Sequence, residues 1–111
     1  MRCLRSSEPC QVNPMYWKFH SHGTSVVLAA CDDIVLGKTL PGEDGLQLIV
    51  SKVFYEGEHG DAAQLQEQFL KAPSLNLVGK EVVALALSLK LLDKTNILFF
   101  GDVPHALVFQ L

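Results

Sequence analysis

The sequence predicts an α+β fold: a two-layer sandwich in which a mostly antiparallel sheet carries two helices on one face. Three observations lead to this prediction. Segments with strand character occupy both ends of the chain, two segments with helical character lie between them, and 111 residues suffice for one domain. The expected order of elements is β-β-β-β-α-α-β-β.

The first half of the chain contains four predicted strands. Residues 1–14 show no periodicity and end in Asn-Pro, so we expect either a disordered arm or a start assigned too far upstream, with a single domain over residues 15–111. Aromatic and β-branched residues on both sides of a turn at Gly23 predict an opening hairpin. Extended segments are expected at residues 15–20, 25–31, 34–40 and 46–51.

Two helices are predicted in the second half. In the first, at residues 61–71, apolar side chains fall on one face and Pro73 ends the helix. The second is expected to begin at an N-cap Asn76 and to reach about Leu91. It is apolar almost all round, which is typical of a helix covered on both sides, by the sheet and the first helix or by a second copy of the chain.

The chain closes with a predicted hairpin whose connection is Gly101-Asp102-Val103-Pro104-His105. Glycine and proline give such a connection a defined shape. One interpretation is a rigid turn, and the other is a site in which Asp102 orients or ionises His105. No further catalytic partner is adjacent in sequence, which favours the turn.

Charge and composition exclude several classes of protein. The net charge is −3, and arginine occurs only at Arg2 and Arg5 while the lysines are scattered. A protein that reads DNA sequence normally clusters basic residues and uses arginine, so sequence-specific DNA binding is not expected. No apolar run approaches the roughly 18 residues of a membrane span, and no secretory signal is visible, so we expect a cytoplasmic protein without membrane contact.

Motifs for cofactors and metals are missing from the sequence. Neither GxxxxGK[ST] nor GxGxxG nor GxSxG occurs. His20 and His22 would share one face of a strand, but no second ligand pair accompanies them at zinc-site spacing. We therefore expect no cofactor and no metal, and we interpret Cys31 as a reduced, half-buried thiol.

Several segments together resemble the archaeal domain of unknown function 424 family. The resemblance runs from about Met15 to the C-terminus and implies a small two-layer α/β sandwich in an archaeal cytoplasm. It also implies a connection with translation, because genes of that family neighbour translation-initiation genes, and it carries over no catalytic residues. The segments that carry it are residues 31–33, 36–39, 50–51, 54–57, 76–79 and 101–106.

We therefore expect a non-enzymatic accessory binding protein of translation or of the ribosome, whose partner is a protein or a ribonucleoprotein. The alternative is a small enzyme or ligand-binding protein that uses His105 with Asp102 or Asp33, and a homodimer is a third hypothesis. The candidate binding residues are Gly101, Val103, Pro104, His105, Asn76, Gly79, Lys38, Lys80 and Tyr55.

Overall fold

The computed structural model describes residues 14–110, so the arm predicted for residues 1–14 lies, apart from Pro14, outside the described part. The helices are α1 (Lys52–Tyr55), α2 (Ala62–Phe69) and α3 (Lys80–Ser88). The strands are β1 (Met15–His22), β2 (Ser25–Asp32), β3 (Thr39–Pro41), β4 (Gln47–Ile49), β5 (Glu58–Gly60), β6 (Ser74–Val78), β7 (Ile97–Phe100) and β8 (Val103–Phe109).

Six of the strands form one sheet in the order β5-β1-β2-β6-β8-β7, and β3 and β4 form a separate two-stranded ribbon. Every neighbouring pair in the large sheet is antiparallel except β2 and β6, which are parallel. The α+β class and the mostly antiparallel sheet are thus confirmed. Within residues 14–110, no helix is long and apolar enough to span a membrane.

One side of the sheet, the helical face, packs against α2 and α3. Because side chains alternate along a strand, Leu28 and Leu77 point to this side, where they join a fully buried cluster with Phe69 of α2. Val82 and Val83 of α3 are buried in the same cluster. The outer side of α3 carries small or polar residues, so this helix is covered on one side only, unlike the two-sided cover that its composition predicts.

The opposite side, the ribbon face, is covered over part of its area by α1 and by the ribbon. Cys31 and Val78 point to this side and pack against Leu40 of the ribbon and Tyr55 of α1. This partial third layer was not anticipated from the sequence, which indicates helices on one face only. It arises because the long connection between the parallel strands β2 and β6 crosses both faces of the sheet.

Two local predictions are wrong, and one strand was missed. Asn76 does not cap a helix: it lies in the middle of β6, and α3 begins at Lys80 with Gly79 as its N-cap. A short edge strand at residues 58–60, which pairs with β1, was not predicted. The closing connection is only the two-residue turn Gly101-Asp102, because the next three residues already belong to β8.

The N-terminus of α3 is held by Asp32, the last residue of β2. Its carboxylate accepts hydrogen bonds from the backbone N–H groups of Glu81 and Val82, each at 2.9 Å. Asp32 is only 3% exposed, and this burial raises its pKa, against the opposing effect of the two donors. A Cβ on Gly79 would stand 2.7 Å from Asp32 Oδ2 and 2.8 Å from Asp32 Cβ, so the junction requires glycine.

Candidate functional site

Three of the predicted site residues meet on the ribbon face in a hydrogen-bonded cluster. Tyr55 Oη donates to Asn76 Oδ1 at 2.8 Å, and His105 Nε2 lies 3.2 Å from the same oxygen. The three residues come from α1, β6 and β8, which are far apart in sequence. Ser51 fixes the start of α1 by accepting a hydrogen bond from Val53 N at 3.1 Å, and this orients the single turn that carries Tyr55.

The cluster has a defined chemistry. A carboxamide oxygen has two lone pairs, so Asn76 Oδ1 accepts one hydrogen bond from Tyr55 and one from His105. This assigns the His105 tautomer that carries its proton on Nε2, which leaves Nδ1 as an acceptor. Burial lowers the pKa of His105, and burial raises the pKa of Tyr55, so both side chains are neutral near pH 7.

The carboxylates that the enzyme alternative needs do not reach this cluster. Asp102 lies in the exposed turn, where its Oδ2 pairs with Lys80 Nζ at 3.4 Å. Asp33 follows β2, and its buried Oδ1 has no hydrogen-bond partner within the described residues. The partner of His105 is therefore the neutral Asn76, which cannot stabilise an imidazolium by charge.

The remaining candidate residues do not form a single surface. Lys80 and Pro104 line a groove on the helical face, whereas His105 points to the ribbon face. Gly79, Pro104 and Tyr55 are buried, and their part in binding stays a prediction.

Three further candidates lie at different places. Lys38 has an exposed side chain at the base of the ribbon, and Gly101 is exposed in the turn with φ of +70°. Val103 is half-buried on the ribbon face, against the buried side chains that include Cys31 and Leu40. None of these three takes part in the Tyr55–Asn76–His105 hydrogen bonds.

Beside the cluster, an apolar part of the ribbon face is open to solvent. We call Val27, Leu107 and Phe109 the open strip. Leu107 is 53% exposed and Phe109 is 76% exposed, and the strand register places Val27 and Phe109 on either side of Ser74. These residues were not among the candidates that the sequence indicated. The sequence of β8 does carry a signal, because it contains no acidic residue and no lysine or arginine on either face, which is typical of a strand covered on both sides.

His20 has a structural role. Its Nε2 lies 2.7 Å from the carbonyl oxygen of Phe54, and the two rings stack with centroids 4.3 Å apart. Lys18 Nζ donates to the carbonyl oxygen of Val53 at 3.0 Å, so both side chains hold α1 against β1. Within residues 14–110 there is no group of three or more side chains able to hold a metal ion.

The fold and this partly open face define a small α+β protein with a polar cluster beside an apolar strip. A family model described as Protein of unknown function (DUF424) matches residues 19–111, and the chain belongs to this family, as the resemblance in the sequence indicated. The chain is also similar to a solved structure, an uncharacterized conserved protein from Methanopyrus kandleri. The two share 25% identity and a TM-score of 0.69 over 88% of this chain and 94% of the other. No curated protein matches the chain.

Proposed function

We propose that this protein is a non-enzymatic binding protein that serves translation as an accessory factor of the ribosome. Its contact surface is the open strip, and its partner is a protein, or protein together with RNA. The connection with translation comes from the family resemblance, and the kind of contact comes from the surface itself.

The observation that carries the proposal is the row of side chains on the ribbon face of β8. Val103, His105, Leu107 and Phe109 alternate with buried residues of the helical face, and their exposure rises towards the end of the strand. A strand that is apolar on both sides is usually covered on both sides. Covering a leucine and a phenylalanine contributes up to about 1.5–3 kcal/mol each to such a contact.

The charge of the chain favours a protein contact over naked RNA. Twelve acidic residues exceed nine basic ones, and a net negative chain is less suited to binding phosphates than a basic one. His105 adds a neutral acceptor at the border of the strip, because its Nε2 is already engaged by Asn76. The enzyme alternative has weaker support, since neither Asp102 nor Asp33 pairs with His105.

Sedimentation of native cell lysate at low and high salt tests this proposal. The wild-type chain is expected to migrate with a ribosomal particle at low salt. Leu107→Ser combined with Phe109→Ser removes two large exposed apolar groups and is expected to reduce co-migration at least tenfold, since about 1.4 kcal/mol corresponds to a factor of ten.

Ile34→Ser is the matched control, because Ile34 is an apolar residue that is 61% exposed. It lies just after the C-terminal end of β2, whereas Val27 of the open strip lies near the start of that strand. This variant is expected to migrate like the wild-type chain. A wild-type chain that stays at the top of the gradient would refute the connection with translation. A double variant that migrates like the control would refute the assignment of the open strip.

A further inference from the structure

The strand β7 forms an outer edge of the large sheet. It pairs with β8 on one side, and no strand of residues 14–110 lies on its other side. Proteins usually protect such an edge with charged residues, proline or a bulge. β7 reads Ile-Leu-Phe-Phe and has none of these protecting residues, so its open side is suited to pairing with another strand.

The register shows which backbone groups are available at this edge. Phe99 lies opposite Pro104, which has no N–H and whose carbonyl accepts a hydrogen bond from Gly79 N at 2.9 Å on the far side. Because antiparallel pairs alternate in direction, the N–H and C=O of Phe99 point away from β8. The carbonyl of Ile97 points the same way, while its N–H donates to the carbonyl of Lys94.

Apolar grooves flank the edge on both faces of the sheet. On the helical face, a groove of about 300 Å³ lies between α3 and the β7–β8 hairpin, and Leu87 and Phe99 line it. A second groove, of about 320 Å³, is lined by Leu46 and Leu98 among others. Leu46, Leu98 and Phe99 are 62%, 65% and 61% exposed, so an added strand would cover apolar surface on both sides.

We propose that a second copy of this chain occupies this edge, with β7 of each copy paired antiparallel about a two-fold axis at Phe99. Each Phe99 N–H then donates to the Phe99 carbonyl of the other copy, and the two rings lie side by side on the helical face. This pairing joins two six-stranded sheets into one continuous sheet. It leaves the open strip free, so the dimer is independent of the proposed function.

Charge complementarity favours a second copy over an unrelated strand. Lys94 precedes β7 and Asp102 follows it. Both side chains are exposed, and Asp102 also pairs with Lys80 of its own chain at 3.4 Å. A two-fold axis at Phe99 brings the turn that contains Lys94 of one copy against the turn that contains Asp102 of the other. By symmetry the dimer has two such contacts. The edge is therefore self-complementary when two copies run antiparallel.

The first test is the mass of the full chain by sedimentation equilibrium, up to about 100 µM, well above typical dissociation constants of specific dimers. The wild-type chain is expected to be a dimer. Phe99→Lys places a charge on the edge and is expected to weaken dimerisation at least tenfold. Leu70→Lys is the matched control, because Leu70 is 81% exposed at the end of α2, and it is expected to remain dimeric.

The second test exchanges charges at the two turns. Lys94→Glu sets like charges against Asp102 of the other copy, and Asp102→Lys sets like charges against Lys94, so each variant alone is expected to dimerise about fivefold to tenfold more weakly. An equimolar mixture restores opposite-charge contacts between the two variants and is expected to associate more strongly than either variant alone. Circular dichroism verifies that every variant is folded.

Several results would overturn the dimer. These are a wild-type chain that is monomeric at the highest concentration, a Phe99→Lys variant that dimerises like the wild type, and a mixture that associates no better than its components. The double variant Leu107→Ser with Phe109→Ser is expected to have the same dimer mass in sedimentation equilibrium as the wild-type chain. A failure of the proposed function can therefore be distinguished from a failure of the dimer.

Discussion

Replacing Gly79 by alanine tests how the two parallel strands and α3 are joined. Gly79 has φ of +120°, a conformation that L side chains rarely adopt, and a Cβ would stand 2.7 Å from Asp32 Oδ2. We expect about 1–3 kcal/mol from the backbone strain and about 1–3 kcal/mol from overpacking. Displacing the Asp32 carboxylate from the first turn of α3 adds about 0.5–2 kcal/mol.

The free energy of unfolding is therefore expected to fall by about 2.5–8 kcal/mol in Gly79→Ala, a large part of a typical domain's stability. Urea denaturation followed by circular dichroism measures this loss. Gly23→Ala is the control, because Gly23 has φ of +64° but no heavy atom within 4 Å of the added Cβ. We expect the control to lose only about 1–2 kcal/mol.

A double-mutant cycle separates the clash from the strain. In an Asp32→Gly background the side chain that the added Cβ would meet is gone, so the cost of Gly79→Ala is expected to fall to that of strain alone. The reasoning is refuted if Gly79→Ala loses no more than about 1 kcal/mol beyond Gly23→Ala, or if its cost is unchanged without the Asp32 side chain.

Three further predictions concern the ribbon face. Asn76→Ala removes the acceptor of two part-buried hydrogen bonds and is expected to cost about 1–3 kcal/mol in urea denaturation. Tyr55→Phe removes only one donor and is expected to cost about 1 kcal/mol, so equal costs would contradict the shared acceptor. Because burial lowers the pKa of His105 in the folded state, the unfolded state binds more protons just below pH 6.5, so stability is expected to fall as the pH drops through this range. Urea midpoints at pH 7.5 and pH 5.5 measure this, and His105→Asn is expected to reduce the difference; an NMR titration that gives His105 an ordinary pKa would contradict it. Burial raises the pKa of Cys31 to about 12. In a variant whose other two cysteines are replaced by serine, the Cys31 thiol is therefore expected to react with a disulfide reagent at pH 8 only after urea is added. Rapid labelling of the folded variant would contradict this prediction.

Elements with a strong local pattern could be predicted from the sequence. The opening hairpin, α2 and the closing hairpin each have a clear period and a turn residue or a stop signal. β6 was missed because its alternation of Leu75, Asn76 and Leu77 runs directly into the apolar α3, and asparagine is a frequent N-cap. β5 was missed because its residues, Glu58-His59-Gly60, carry no apolar side chain. The strand forms only because these residues pair with β1.

The cluster could be predicted residue by residue but not as a unit. Asn76 was selected as a helix N-cap, His105 as part of the closing connection, and Tyr55 as an aromatic candidate for partner binding. The contact of Asn76 with His105 depends on the antiparallel pairing of β6 with β8, and that of Tyr55 with Asn76 depends on the parallel pairing of β2 with β6, neither of which any local pattern reports. The capping role of Asp32 was invisible for the same reason, since its partners Glu81 and Val82 come about fifty residues later.

The parallel pairing of β2 with β6 also separates fast from slow steps in folding. Each terminal hairpin closes over a two-residue turn, an event of about 1–10 µs. Val27 and Ser74, by contrast, are paired although they lie 47 positions apart in sequence. The conformational entropy of the chain between them must be lost before this pairing contributes any stabilising free energy. The two halves of the sheet therefore join at the step that limits folding, so substitutions along this central junction are expected to slow folding, whereas substitutions elsewhere mainly alter the rate of unfolding.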